Sequence, residues 1–174
     1  MKYLMVETPY EVITRGDAIN RSLMQLRNQA IPRAPARPLS TFPHAPRIVE
    51  GWTALFFCGP TGTGKTSLAR ALLPGAPVIS HRDQLRGADF SNGIIFDDFD
   101  ISHWPPTAGI HLLDWEEERG IDVKHSHVVI PPRTRKIVTS NCEFDRWVPK
   151  DANDEQVAAM RRRIQVFRIH NSVY

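Results

Sequence analysis

Three groups of residues carry types and spacings that can do chemistry. The first is GPTGTGKT, residues 59–66, which fits G-x-x-x-x-G-K-[ST] at every position. Gly59, Gly62 and Gly64 let the backbone curl so that its N–H groups face a phosphate chain. Lys65 is spaced to reach the β- and γ-phosphates, and the Thr66 hydroxyl to take Mg2+. The candidate nucleotide-binding residues are Gly59, Pro60, Thr61, Gly62, Thr63, Gly64, Lys65, Thr66 and the adjoining Ser67. The cofactors this pattern implies are ATP and Mg2+. The second group is GIIFDDFD, residues 93–100, where an apolar run delivers Asp97 and Asp98 at its carboxyl end. Asp97 is the candidate for holding Mg2+ through water, Asp98 for polarising an attacking water, and Asp100 stands outside. The third is KIVTSN, residues 136–141. Asn141 at the end of a buried strand puts a neutral amide beside a γ-phosphate, where it orients water without adding charge.

These groups need elements to bring them together. TALFFC (53–58) is a continuous apolar run, as expected of a strand buried on both faces. A helix over Lys65–Leu73 follows the glycine-rich turn and is closed by Pro74-Gly75, so its positive dipole end would add to the phosphate site. VIS (78–80), GIIFDD (93–98), RKIVTSN (135–141) and IQVFRI (164–169) read as further strands. Helices are expected over roughly Ala108–Arg119, with Ile110, Leu112, Leu113 and Trp115 as apolar members, and over 153–161; IDVKHSHVVI (121–130) alternates as a hairpin does. Strands alternating with helices give an α/β fold with a central parallel sheet. Ahead of it, Ile13, Ile19, Leu23, Leu26 and Ile31 stand roughly at helical spacing over 10–30, and residues 32–46 hold five prolines, as an extended connector would. The boundary drawn from the sequence separates an N-terminal segment, 1–50, from an ATPase-type core, 51–174.

Composition narrows the function classes. The chain has 174 residues, 41% hydrophobic and 24% charged, enough for one domain with an appendage and a buried core. No run approaches the ~20 apolar residues of a membrane span, and MKYLMVETPY is too short in apolar residues for a secretory signal. Residues 1–51 carry seven basic and four acidic side chains, while 52–174 carry fifteen of each. The larger part is therefore neutral, and any polyanion contact must come from local patches. Cys58 and Cys142 form no disulfide framework and no zinc spacing.

The order GPTGTGKT, IIFDDFD, LLDWEEERGIDVKHSHVVIP, KIVTSN resembles the superfamily 3 helicase domain, above all that of the replication-initiator (Rep) proteins of circular single-stranded DNA viruses. The resemblance covers about residues 52–170, and the first 50 resemble only loosely the oligomerisation segment that precedes the core in those proteins. It implies a P-loop NTPase, AAA+-like core, a homo-oligomeric ring (usually a hexamer), hydrolysis at subunit interfaces, movement on single-stranded DNA, and work in the host nucleus. Gly59–Thr66 match the Walker A loop, Asp97-Asp98 the Walker B pair, and Asn141 the sensor of motif C. Lys124 falls where that family has a DNA-contacting lysine, although His125-Ser126-His127 follow where glycines are common. AMRRRI (159–164) resembles the arginine-finger stretch, with Arg162 and Arg163 as the pair that would reach a neighbour's γ-phosphate. The alternative for that pair is a basic helix end meeting its own dipole.

The charges support a basic finger independently. Residues 124–136 contain Lys124, Arg133, Arg135 and Lys136, two histidines and no acid, whereas 97–122 hold eight acids and one base. Lys124, His125, His127, Arg133 and Arg135 are the candidate DNA contacts, against the plainer reading of a solvated hairpin. His125-Ser126-His127 is not read as the metal pair of a nickase, and Tyr3, Tyr10 and Tyr174 lack the lysine spacing of a nicking tyrosine. The chain thus looks like a Rep without its nickase, which admits a separate endonuclease-bearing Rep chain as partner. Trp104, Trp115 and Trp147 are expected in the core. Three other readings stand beside the motor: a nucleotide-switched assembly module, an RNA-directed superfamily 3 ATPase, and a small-molecule kinase.

Overall fold

The computed structural model describes residues 35–174 other than His125. The helix expected over 10–30 and the role expected of His125 fall outside the described residues. Within them, Ala36–Tyr174 form a compact α/β unit.

Five strands make one parallel sheet: β1 (Ala54–Cys58), β2 (Val78–Ile79), β3 (Ile94–Asp97), β6 (Lys136–Ser140) and β7 (Gln165–Arg168). Their order is β2-β3-β6-β1-β7, and every pairing is parallel. All five residues of β1 and of β6 are buried, as continuous apolar runs in a sheet covered on both faces require. Successive side chains go to opposite faces. Leu55, Phe57, Ile95 and Ile137 pack with Leu68 and Ala69 of helix α1 (Lys65–Leu72) and with Phe42 and Trp52. Phe56, Phe96 and Val138 pack on the other side, against α2 (Pro106–Leu113), α3 (Phe144–Trp147), α4 (Asp154–Arg161) and the antiparallel hairpin β4 (Arg119–Val123)–β5 (Ser126–Ile130). Trp104 and Trp147 lie in this second cluster, and the Trp147 indole N–H donates to the Phe99 carbonyl at 2.7 Å.

Three local readings are corrected. The second helix starts at Pro106 and ends at Leu113, not at Arg119. Asp114 stops it: its carboxylate accepts from the N–H groups of Glu116 and Glu117 and from Arg119 Nε, a local turn that competes with helix continuation. Trp115 is then half-buried outside the helix. The end of the proline-rich stretch belongs to the core, since Phe42 is buried in the α1 face. Lys136 is also no part of a surface finger. It opens β6 fully buried, its Nζ donating to the carbonyls of Asp114 and Thr134 at 2.6 and 3.1 Å.

Among the described residues no helix is long and apolar enough to cross a membrane.

Candidate functional site

The carboxyl ends of β1, β3 and β6 meet at one cleft of about 260 Å3, lined by Thr61, Gly62, Gly64, Lys65, Thr66, Ser67, Asp97, Asp98, Thr139, Asn141 and Tyr174. The loop between β1 and α1 turns on glycines for a steric reason. At Gly59 (φ 145°) a Cβ would collide with the Ile169 carbonyl, just past β7. Gly64 is left-handed (φ 92°) and serves as the N-cap of α1 without any side-chain cap. The first N–H groups of α1 are thus left to an anion, with the positive end of the helix behind them.

Lys65 is buried, and its ammonium is held inward. Nζ donates to the carbonyls of Gly59 and Pro60 at 2.8 and 2.6 Å and to Asn141 Oδ1 at 3.2 Å. Burial lowers its pKa from the usual lysine value, and the nearby carboxylates of Asp98 and Asp97 oppose that shift. Asp97 is fixed through one oxygen: Oδ1 accepts from Thr66 Oγ1 and from Thr139 Oγ1, each at 2.6 Å. Its second oxygen takes part in neither bond, and a hydroxyl–carboxylate pair of this kind suits a hard, oxygen-preferring cation that keeps most of its water. Asp98 has a left-handed backbone (φ 48°), which aspartate tolerates better than most residues. Its N–H donates to the Thr139 carbonyl at 3.0 Å. Its Oδ2 accepts from Asn141 Nδ2 at 3.2 Å. A loop of free N–H groups, a lysine, a cation-suited pair and an exposed acid backed by an amide can together bind a polyphosphate and position a water at one end.

Of the residues expected from sequence, Thr61, Gly62, Gly64, Lys65, Thr66, Ser67, Asp97, Asp98 and Asn141 thus converge. Pro60 contributes its carbonyl to Lys65 and to Thr63 Oγ1 (3.1 Å), so it shapes the loop without lining the cleft. Thr139 and Tyr174 line the cleft without having been expected there. For Thr139 a signal existed: it is a polar residue within a buried run, and it pairs in register with Asp97. Cys58 precedes the loop, and its thiol pKa is pushed up to about 11, first by burial and then by Glu143, so it stays protonated at neutral pH.

The basic candidates do not form one patch. Lys124 is exposed at the hairpin tip, where its N–H donates to Asp83 Oδ1 (3.3 Å) and its carbonyl accepts from Arg86 Nη2. His127 faces Asp122 across the hairpin (2.9 Å) and lies over Gly120, so it is already partnered. Arg133 and Arg135 are at the hairpin's base, on a separate cavity of about 550 Å3 that also includes Phe90, Pro131 and Pro132. Arg135 carries its guanidinium 5.1 Å from the Trp52 ring centroid.

Arg162 and Arg163 lie away from the phosphate loop of their own chain. The Arg163 carbonyl accepts from Thr53 Oγ1 at 3.5 Å. Thr53 stands at the start of β1 and Gly59 at its end, about 20 Å apart at ~3.3 Å per residue. Arg163 also donates from Nη1 to the Ala159 carbonyl at 2.8 Å, closing its own helix, whereas Arg162 is exposed.

No family model matches the chain, and no curated protein matches it.

Proposed function

We propose that this chain is a Mg2+-dependent P-loop NTPase of AAA+-like type, hydrolysing ATP as an oligomer to move on single-stranded DNA. The observation that carries the reading is the convergence of Lys65, the Thr66–Asp97 pair and the Asp98–Asn141 pair on one cleft. The strand order supports it, because β6 stands between β1 and β3 and so brings Asn141 between the phosphate loop and the acidic pair.

In this reading the phosphate chain lies along the loop N–H groups, and the Lys65 ammonium exchanges a loop carbonyl for a phosphate oxygen. Thr66 and Asp97 would hold Mg2+, which would supply neutralisation of phosphate charge. Asp98 accepts the proton of the attacking water, and Asn141 holds Asp98 and that water in line with the γ-phosphate. The missing positive charge comes from a neighbouring subunit through Arg162, since that residue is exposed and remote from its own loop. A homo-oligomer follows from that requirement, and a ring, usually a hexamer, from the resemblance. The same resemblance underlies the Rep assignment, the host nucleus and a separate endonuclease-bearing chain.

One observation favours a second reading, a nucleotide-switched assembly module that does not translocate. Lys136 is buried, His127 is paired, and Arg133 and Arg135 stand at the hairpin's base, which leaves Lys124 as the hairpin's own cation at the described part of the tip, beside an Arg86 engaged by the Lys124 carbonyl. Steady-state ATP hydrolysis over a protein-concentration series, with and without single-stranded DNA, separates the two. The motor predicts a specific activity that rises with concentration and with DNA and is lost in Lys65→Ala. Hydrolysis that depends on Lys65 but ignores both DNA and protein concentration favours the module, and no hydrolysis in any condition rejects the motor.

A further inference from the structure

One wall of the cleft is aromatic and has no part in handling phosphates. Tyr174 lines it beside Gly64 and Ser67. The Tyr174 ring lies so close to the loop that a Cβ on Gly64 would come within 2.9 Å of Tyr174 Cε2 and 2.7 Å of Val173 Cγ2. Gly64 is therefore needed for this approach as well as for its left-handed turn. Backbone bonds pin the segment there: the Val173 N–H donates to the Thr63 carbonyl at 3.0 Å, and the His44 N–H to the Val173 carbonyl at 3.4 Å. Phe42 backs the ring, with centroids 5.3 Å apart, and the Arg37 guanidinium lies 5.2 Å from the ring centroid.

Burial separates the two aromatics. Phe42 is 3% exposed and belongs to the core, whereas Tyr174 is 41% exposed despite its anchored backbone. An aromatic ring fixed by its neighbours and open to solvent beside a phosphate-binding loop has the properties of a stacking platform. Asp98 and Asn141 occupy the γ-phosphate end of the cleft. A nucleoside extending away from that end past Gly64 meets the wall where Tyr174 stands.

Resting on the nucleotide reading of the loop, we propose that Tyr174, with Arg37, is the platform for the base of the bound nucleotide. The base packs against the exposed part of the Tyr174 ring, beside the planar Arg37 guanidinium that already lies over that ring. Both residues offer flat faces, so the platform adds affinity for a nucleoside over a bare phosphate chain.

The test compares two probes on the full chain by titration calorimetry: Mg2+-ATP, and inorganic tripolyphosphate with Mg2+. Tyr174→Ala is expected to weaken ATP roughly 5- to 100-fold, as loss of one base–aromatic stack does, and to leave tripolyphosphate unchanged. Tyr174→Phe keeps the ring and should bind ATP as the parent does. Lys65→Ala should weaken both probes. ATP affinity indifferent to Tyr174→Ala but lost in Lys65→Ala would overturn the platform and leave the nucleotide reading standing. Equal weakening of both probes by Tyr174→Ala would assign the ring to loop support through Gly64 and overturn the platform too. If the parent chain binds neither probe, the nucleotide reading fails and takes the platform with it.

Discussion

Lys65 and Asn141 are joined side chain to side chain: the ammonium donates to the amide oxygen at 3.2 Å, and the same amide donates onward to Asp98 at 3.2 Å. Asn141 thus sits between the cation that would hold a phosphate and the acid that would activate water. A carboxamide can serve both because it has an acceptor at one end and donors at the other. An aspartate there would repel Asp98, and an alanine would free it.

The first prediction follows from that bridge. Asn141→Ala should lower kcat by about 10²–10³, the cost of removing one pre-positioned polar group, while ATP affinity changes little. Single-turnover hydrolysis and equilibrium binding, measured on the same preparation, separate the two effects. A parallel fall in affinity would mean that Asn141 serves binding through Lys65 instead.

Thr139 should matter to the metal and not to the nucleotide alone. It shares Asp97 Oδ1 with Thr66, so Thr139→Val leaves the carboxylate held from one side only. The β-branched shape survives, and the strand should stay folded. Apparent Mg2+ affinity is expected to fall about 10-fold or more, in line with losses of groups that orient a ligand. Metal-free nucleotide binding should be unchanged. An unaltered Mg2+ titration would mean that the Thr139 bond does not position Asp97 for the cation.

Lys136 makes stability depend on pH with a definite sign. Burial lowers its pKa from 10.5 to about 8, with Asp114 acting in the opposite direction. Below about pH 8 both folded and unfolded chains keep the proton, so the full cost of burying the charge stands. Above it, the folded state releases a proton that the unfolded chain holds until about pH 10.5, so unfolding takes up a proton and stability rises with pH. The gain across that window is up to about 3 kcal/mol. Denaturant melts at a series of pH values should show the rise, and Lys136→Met should flatten it. A slope unchanged by the substitution would assign the rise to other groups.

At the hairpin, Lys124 and His127 should behave differently. Lys124→Ala is expected to reduce the magnitude of the salt slope of single-stranded DNA binding by about 0.7, the share of one phosphate contact. His127→Ala should leave the slope alone, because its ring is engaged with Asp122. Equal effects from both would return His127 to the contact surface.

The two arginines at the end of α4 also separate. Arg162→Ala should cost about 10³–10⁵ in kcat if it acts on a neighbour's phosphate, and mixing it with Lys65→Ala subunits should restore part of the activity. Arg163→Ala should instead loosen α4, since its guanidinium caps the Ala159 carbonyl, and it should show in a thermal melt. A failure of rescue at every mixing ratio would count against a shared site.

Much of the framework was legible because its signals are local. ALFFC and IIF have no room for a water-facing side, and each leads directly to the group it delivers. The hairpin was visible in the alternation of IDVKHSHVVI. Two of the features that escaped detection depend on partners distant in sequence. Lys136 counts as a surface charge until a carbonyl 22 residues earlier is seen to accept its hydrogen bond. Tyr174 meets Gly64 only because β7 lies beside β1 and returns the chain to the loop. Asp114 stops its helix through an acceptor, a mechanism that the apolar spacing of Ile110, Leu112 and Trp115 does not register.

The short passage Pro131–Arg135 links β5 to β6 without a helix or long loop between them. Hairpin and Asn141 are therefore two ends of a single tie rod, with Lys136 clamped to the Asp114 carbonyl as its fulcrum. A pull on the hairpin has a twelve-residue covalent route, Ile130 to Asn141, to the amide between Lys65 and Asp98. Force and chemistry would then be geared through one strand, and loosening the clamp at Lys136 should put slack in that linkage before it disturbs either end.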